Sequence, residues 1–180
     1  MRKFKGLRPQ DIVVLLKLAA HWPQNHWQGK ELAQALELST SEISDSLARC
    51  RFSRLLASDP QWLLVQVQAL RELLVHGLPY VFAVQPGPLA RGMVTGASAP
   101  PLVGTFGSEP AYVWPSAEGE VWGTAIEPLY AGVPAAARRD PRLHELLALV
   151  DALRLGRPRE CRVASELLAD YLHLTASAHG

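Results

Sequence analysis

Hydroxyl and basic side chains crowd the stretch from Lys30 to Arg54, which reads KELAQALELSTSEISDSLARCRFSR. Ser39, Thr40, Ser41 and Ser44 carry hydroxyls that bond base edges or phosphates. Arg49 can grip guanine bidentately, and Lys30, Arg51 and Arg54 can neutralise phosphate charge. No other chemistry assembles as readily. His21 and His26, beside Trp22 and Trp27, have no Cys/His cluster to complete a metal site. Glu118 and Glu120 flank Gly119 and read as a turn, not as an acid–base pair. Neither a phosphate-binding glycine loop nor a nucleophile elbow occurs. The sequence therefore points to a binding protein with no catalytic residue, no metal and no cofactor.

Two short helices must position the Lys30–Arg54 groups. The first carries Leu32, Ala33 and Leu36, the second Ile43, Leu47 and Cys50, and each set falls on one helical face. Leu38 plugs the turn between them, Ala33 lets the second helix cross closely, and Ser39 caps its start. An earlier helix is expected over Arg8–Trp22, opened by Pro9 and Asp11, with a stripe of Ile12, Leu15, Leu16 and Ala19 widened by Val13 and Leu18. Trp22-Pro23 ends it. The helix from Thr40 is expected to run to about residue 54. This layout is a helix-turn-helix, whose second helix enters the DNA major groove. A plain helical hairpin is the alternative.

Beyond it, Asp59-Pro60 reads as a helix start, opening a helix to Val75 that is apolar around most of its circumference. Such a helix is buried in its own domain or in an oligomer interface. Residues 77–134 hold nine of the thirteen glycines and nine of the fourteen prolines, so this region is expected to be irregular. Tyr80–Val84 is a strand candidate, with Tyr112–Trp114 and Glu120–Ile126 weaker ones. Asp140-Pro141 starts a helix that Gly156 stops, and a last helix spans about Pro158–Leu172. Arg138-Arg139 and Arg157, Arg159 and Arg162 are basic clusters at helix edges; they bind an anion or a nucleic-acid backbone, or are simply solvated. The expected fold is α+β and mainly α. A helix-turn-helix head (1–58) precedes a Gly/Pro-rich small-sheet region and C-terminal helices that dimerise or bind a partner (59–180).

Residues 1–58 hold nine Lys/Arg against five Asp/Glu, and residues 59–180 nine against twelve. A basic front on a mildly acidic remainder suits a DNA-facing head. No apolar run approaches the roughly 20 residues that span a bilayer, and the basic N-terminus lacks the apolar core of a signal peptide. Cys50 and Cys161 make no disulfide framework. A cytoplasmic protein with no membrane association is expected.

The order helix, loop, short helix, turn, longer helix resembles the MarR-like winged helix-turn-helix domains of bacterial transcriptional regulators. The resembling residues are Leu15, Leu18 and Ala19; Lys30-Glu31-Leu32-Ala33; and Leu38-Ser39, Ile43-Ser44 and Leu47. They cover about residues 8–56. The resemblance implies that the groove-facing side of the third helix is Thr40, Ser41, Ser44, Asp45, Ala48 and Arg49. Thr40, Ser41, Ser44 and Arg49 would then read bases, while Lys30, Ser39, Arg51 and Arg54 hold phosphates. Two features depart from the family. Glu42 and Asp45 lie on or near a face that would meet a polyanion. Only Leu55–Asp59 separates the third helix from the next expected one, too short for a normal hairpin, so the wing is lost or vestigial.

Two function classes follow. One is a sequence-specific DNA-binding regulator acting as a dimer on double-stranded DNA, with a possible protein partner held by its C-terminal region. The other is an antitoxin-like or adaptor module whose winged-helix head is structural.

Overall fold

The structure, a computed structural model, describes residues 6–22, 27–59, 61–106 and 110–176. Pro23, His26 and Pro60 lie outside these residues. The fold is α+β and mostly helical, with one small three-stranded sheet.

Helix α1 (Pro9–Ala20) begins as its sequence dictates, with Pro9 in the first turn and the Asp11 carboxylate accepting from the Arg8 amide at 2.8 Å. Its burial exceeds the expected stripe: every residue from Asp11 to Ala20 is buried. The helix is central, packed on α3 (Thr40–Phe52) and also on α7 (Pro141–Leu155) and α8 (Pro158–Ala176). One continuous apolar core joins residues of the N-terminal helices to those of the C-terminal ones. Each large apolar side chain buried there contributes roughly 1.5–3 kcal/mol. Two charged residues, Asp11 and Lys17, are carried in with them and require partners.

Lys17 finds its partner on α7. The Asp140 Oδ2 atom accepts from Lys17 Nζ at 2.6 Å and from His21 Nε2 at 2.6 Å, while Oδ1 accepts from the Leu143 amide and so caps α7. Lys17 also lies 5.0 Å from the Trp27 ring centroid, a cation–π contact that accounts for an ammonium in this apolar setting. Burial alone would raise the Asp140 carboxyl; the hydrogen bonds from Lys17, His21 and Leu143 outweigh it and hold it below its ordinary value. A carboxyl depressed in the folded state stabilises above its unfolded pKa and loses that contribution as pH falls through the folded value. Asp140→Asn is therefore expected to be less stable than the wild type near neutrality, and the gap to close below about pH 4. Urea unfolding of both proteins at neutral and acid pH checks this.

The helix expected from Pro60 starts later. Helix α4 is Val67–Glu72, followed by a π-helical turn (Leu73–Gly77) and α5 (Leu78–Val81). Asp59 caps as its type suggests, but it caps a turn: its Oδ1 accepts from the Gln61 amide at 2.9 Å, and the Trp62 amide bonds the Asp59 carbonyl. The residues freed by the late start form a short hairpin. Leu56 bridges Val65 antiparallel, flanked by Ala57 N–H to Leu64 O and Gln66 N–H to Leu55 O. The π turn falls where Pro79 approaches, since a proline cannot donate to the carbonyl four residues back and crowds it. Leu70, Leu74 and Leu78 form the buried row of this segment, while Gln68, Glu72, His76 and Tyr80 form its exposed row. Tyr80–Val84 is thus not a strand. Tyr80 and Val81 finish α5, and local apolar composition alone does not separate a buried strand from a helix end.

The strands are β1 (Leu89–Val94), β2 (Tyr112–Pro115) and β3 (Val121–Ala125). β1 pairs antiparallel with both others, with Met93 opposite Trp114 and Arg91 opposite Trp122. β2 and β3 pair in parallel through Tyr112–Thr124, closing the three strands on themselves. Such tight closure requires glycine: a Cβ at Gly92 would stand 2.0 Å from the Trp114 carbonyl oxygen. Helix α6 (Val133–Arg139) then leads into α7, which ends at Gly156 with φ +72°, as its sequence predicts.

The sheet rests on α7 through a buried polar cluster. Asp151 Oδ2 accepts from Thr95 Oγ1 at 2.7 Å and from Trp114 Nε1 at 2.6 Å, and Oδ1 accepts from Arg154 at 2.7 Å. Arg154 also donates to the Phe82 and Glu127 carbonyls. His144 on α7 bonds the Val94 carbonyl of β1 at 2.8 Å.

Candidate nucleic-acid interface

Helix α2 (Gly29–Ala35) and α3 carry the groups identified from sequence. Leu32, Ala33 and Leu36 are buried, as are Ile43 and Cys50 on α3, and Leu38 packs partly buried in the turn. The turn needs one left-handed residue after α2, and Glu37 takes it at φ 55°. Leu38 N–H then bonds the Ala33 carbonyl at 3.0 Å, closing the helix end.

At the start of α3, Ser39 and Glu42 form a reciprocal capping box. Ser39 Oγ accepts from the Glu42 amide at 3.2 Å, and the Glu42 carboxylate accepts from the Ser39 amide at 2.8 Å and its hydroxyl at 2.7 Å. The Ser39 amide and hydroxyl, with help from Arg8, hold the Glu42 carboxyl below its usual range. Glu42 is therefore an ionised cap. Its negative charge lies at the positive end of the helix dipole, which offsets part of its repulsion toward a polyanion.

Thr40, Ser41 and Ser44 are exposed on α3, and Asp45 and Ala48 are half-buried. Lys30 is exposed at the start of α2, Arg51 is half-buried, and Arg54 is exposed just beyond α3 in left-handed backbone, φ 61°. The structure thus brings Ser39, Thr40, Ser41 and Ser44 onto one accessible helix start.

Arg49 departs from this set. It is only 6% exposed, and its Nε and Nη2 donate to Asp11 Oδ2 and Oδ1 at 2.7 and 2.6 Å. The Asp11 hydrogen bond raises the guanidinium pKa further above its usual value. The expected position on the outer face is corrected: Arg49 ties α3 to α1. The family resemblance implied the groove-facing side for it, and the partner that draws it inward lies 38 residues earlier. Cys50 beside it is a buried thiol pushed up to about 12 by burial, too weakly acidic to react as a thiolate.

Groups outside the head reach the same turn. Tyr130 Oη donates to the Leu36 carbonyl at 2.6 Å, and Arg139 pairs with Glu37. Burial pushes the Tyr130 phenol up, and Glu37 and Glu42 add to the shift, so it remains a donor. The sequence reading named neither contact, because each spans about a hundred residues and leaves no local pattern.

The exposed surface near the head is not uniformly polar. Phe52 is 70% exposed at the end of α3, and Trp62 is 56% exposed at the turn of the short hairpin. Among the described residues, no group of three or more His, Cys, Asp or Glu could hold a metal ion, and no helix is long and apolar enough to cross a membrane. Compared with protein-family models, curated proteins and solved structures, the chain matches none of them.

Proposed function

We propose that this chain is a sequence-specific DNA-binding transcriptional regulator that acts as a dimer, with α3 in the major groove. One observation carries the reading: the helix–turn–helix from Gly29 to Phe52 leaves the hydroxyls of Thr40, Ser41 and Ser44 exposed on its second helix. In this reading those three side chains meet base edges, and Ser39, Lys30, Arg51 and Arg54 meet phosphates. In this reading the Leu56–Val65 hairpin, closed by a single bridge, is a vestigial wing. A single head makes few contacts, so specific affinity calls for two heads on a two-fold site. The exposed rows of α4 with its π turn (Gln68, Glu72, His76) and of α8 (Arg159, Arg162, Glu166, Asp170) are polar. The pairing surface in this reading lies elsewhere, with exposed Leu89 and Trp122 on the sheet as its apolar candidates.

The test is selection of bound sequences from a random duplex library, followed by a salt series on the winner. An enriched two-fold site is expected, with affinity falling by a log–log slope of about 0.9 per phosphate contacted. Absence of duplex binding at low salt would overturn the reading. The exposed Phe52 and Trp62 favour a second reading, an antitoxin-like or adaptor module that docks a protein through its head, since aromatic side chains are enriched in such interfaces. A head that ignores DNA at every salt concentration selects that second reading.

A further inference from the structure

We infer that Arg139, outside the helix-turn-helix in sequence, makes a phosphate contact on the same face as α3 and is restrained there by Glu37; this rests on the DNA-binding reading above. The segment from Tyr130 to Arg139 lies directly against the turn between α2 and α3. Tyr130 bonds the Leu36 carbonyl, and the approach at Gly132 is so close that a Cβ there would stand 2.7 Å from the Glu37 Cβ. This contact carries α6 alongside, and its last residue, Arg139, donates from Nη2 to Glu37 Oε1 at 2.5 Å and to the Gln34 carbonyl at 3.5 Å.

The arginine is not consumed by these bonds. Its side chain is 51% exposed, and both bonds use the same nitrogen. The N–H groups on Nε and Nη1 remain to meet a further acceptor, in the fork geometry that suits phosphate. The neighbouring Arg138 pairs with Glu118 and is not needed for the turn. Position and charge give Arg139 its role. The burial of Arg49 removes the base-reading cation expected on α3 and leaves Arg51 near its far end, while Glu37 and Glu42 add two carboxylates near its start. A helix start of hydroxyls and acids gains a guanidinium from α6. Glu37 both orients that guanidinium and weakens its field, so a phosphate met by the remaining N–H groups faces a partly neutralised cation.

Two single variants separate this role from a merely structural latch. Arg139→Gln and Glu37→Gln break the same ion pair. If the pair only braces the turn, both variants weaken DNA binding together. If Arg139 contacts phosphate, they move in opposite directions. Arg139→Gln should weaken binding at low salt and flatten the log–log salt slope by about 0.9. Glu37→Gln should tighten binding, and most of that gain should vanish in the double variant. The measurement is affinity for a random-sequence duplex across a salt series, with thermal unfolding of each variant as the folding control. Weakening by both single variants, or an unchanged slope in Arg139→Gln, overturns the inference and leaves the DNA-binding reading standing. Failure of the wild type to bind duplex DNA at low salt overturns both.

Discussion

Replacing Arg49 by alanine is expected to lower the folding free energy by about 3–5 kcal/mol. The variant keeps Asp11, which is fully buried and whose two oxygens accept from Arg49 Nη2 and Nε. Without the guanidinium, a carboxylate remains in the core with only the Arg8 amide as a hydrogen-bond donor among the described contacts. Leaving one member of a buried pair alone is costly because its desolvation is no longer offset. The paired change Asp11→Asn with Arg49→Met should recover much of the loss, since an apolar or neutral replacement of both partners removes the uncompensated charge. Chemical denaturation of the wild type and the two variants checks the scheme. A single Arg49→Ala variant as stable as the wild type would show that the pair does not hold α3 to α1. If the chain binds DNA as proposed, the same variant, studied where it is fully folded, should keep the wild-type sequence preference, because Arg49 is buried against Asp11 and not on the exposed side of α3.

Local patterns in the chain carry local structure well. The spacing of Leu32, Leu36, Ile43 and Cys50 places the turn and both helices around it, and Ser39 caps the second as its type implies. Asp140-Pro141 and Gly156 bound α7 for the same reason: capping chemistry acts over three or four residues. Asp59-Pro60 shows where that logic stops. An Asp side chain accepting a nearby amide serves a helix start and a turn equally, and here the turn wins. β1 was hidden for a different reason. Leu89–Val94 contains Gly92 and no clear alternation, and its strand state is set by two partners that lie well downstream, β2 and β3.

The candidate interface divides along the same line. Its hydroxyls were legible because an exposed helix start needs only local rules. Arg49 and Arg139 were visible as residues but their placement was not, because each is positioned by a partner distant in sequence, Asp11 for one and Glu37 for the other. A polar residue inside an apolar run was the available signal. Asp11 before IVVLL, and Lys17 within LLKLAA, mark charges that α1 carries into the core and that some distant partner must neutralise.

Asp151→Ala is expected to be the more damaging core substitution. The carboxylate accepts from three donors at once, on the segment after β1, on β2 and on α7 itself. Burial pushes its pKa up, while Trp114 Nε1 and Arg154, which can only donate, favour the charged form. Alanine removes the charge from beside a buried guanidinium, costing about 3–5 kcal/mol, and orphans the Trp114 N–H, adding about 1–3 kcal/mol. Arg154 keeps its bonds to the Phe82 and Glu127 carbonyls, which limits the loss without neutralising the charge. Against a typical domain stability of about 5–15 kcal/mol, a loss of this size removes a large share of the margin, and the variant should unfold at a markedly lower temperature than the wild type. Asp151→Asn, which keeps an acceptor and loses the charge, should fall between alanine and wild type. The double change Asp151→Ala with Arg154→Met should be more stable than Asp151→Ala alone, because the guanidinium left unpaired is then gone. Calorimetry ranks the four proteins. A double variant no better than Asp151→Ala would mean that the hydrogen bonds to Thr95 and Trp114, and not the ion pair, fasten the sheet to α7.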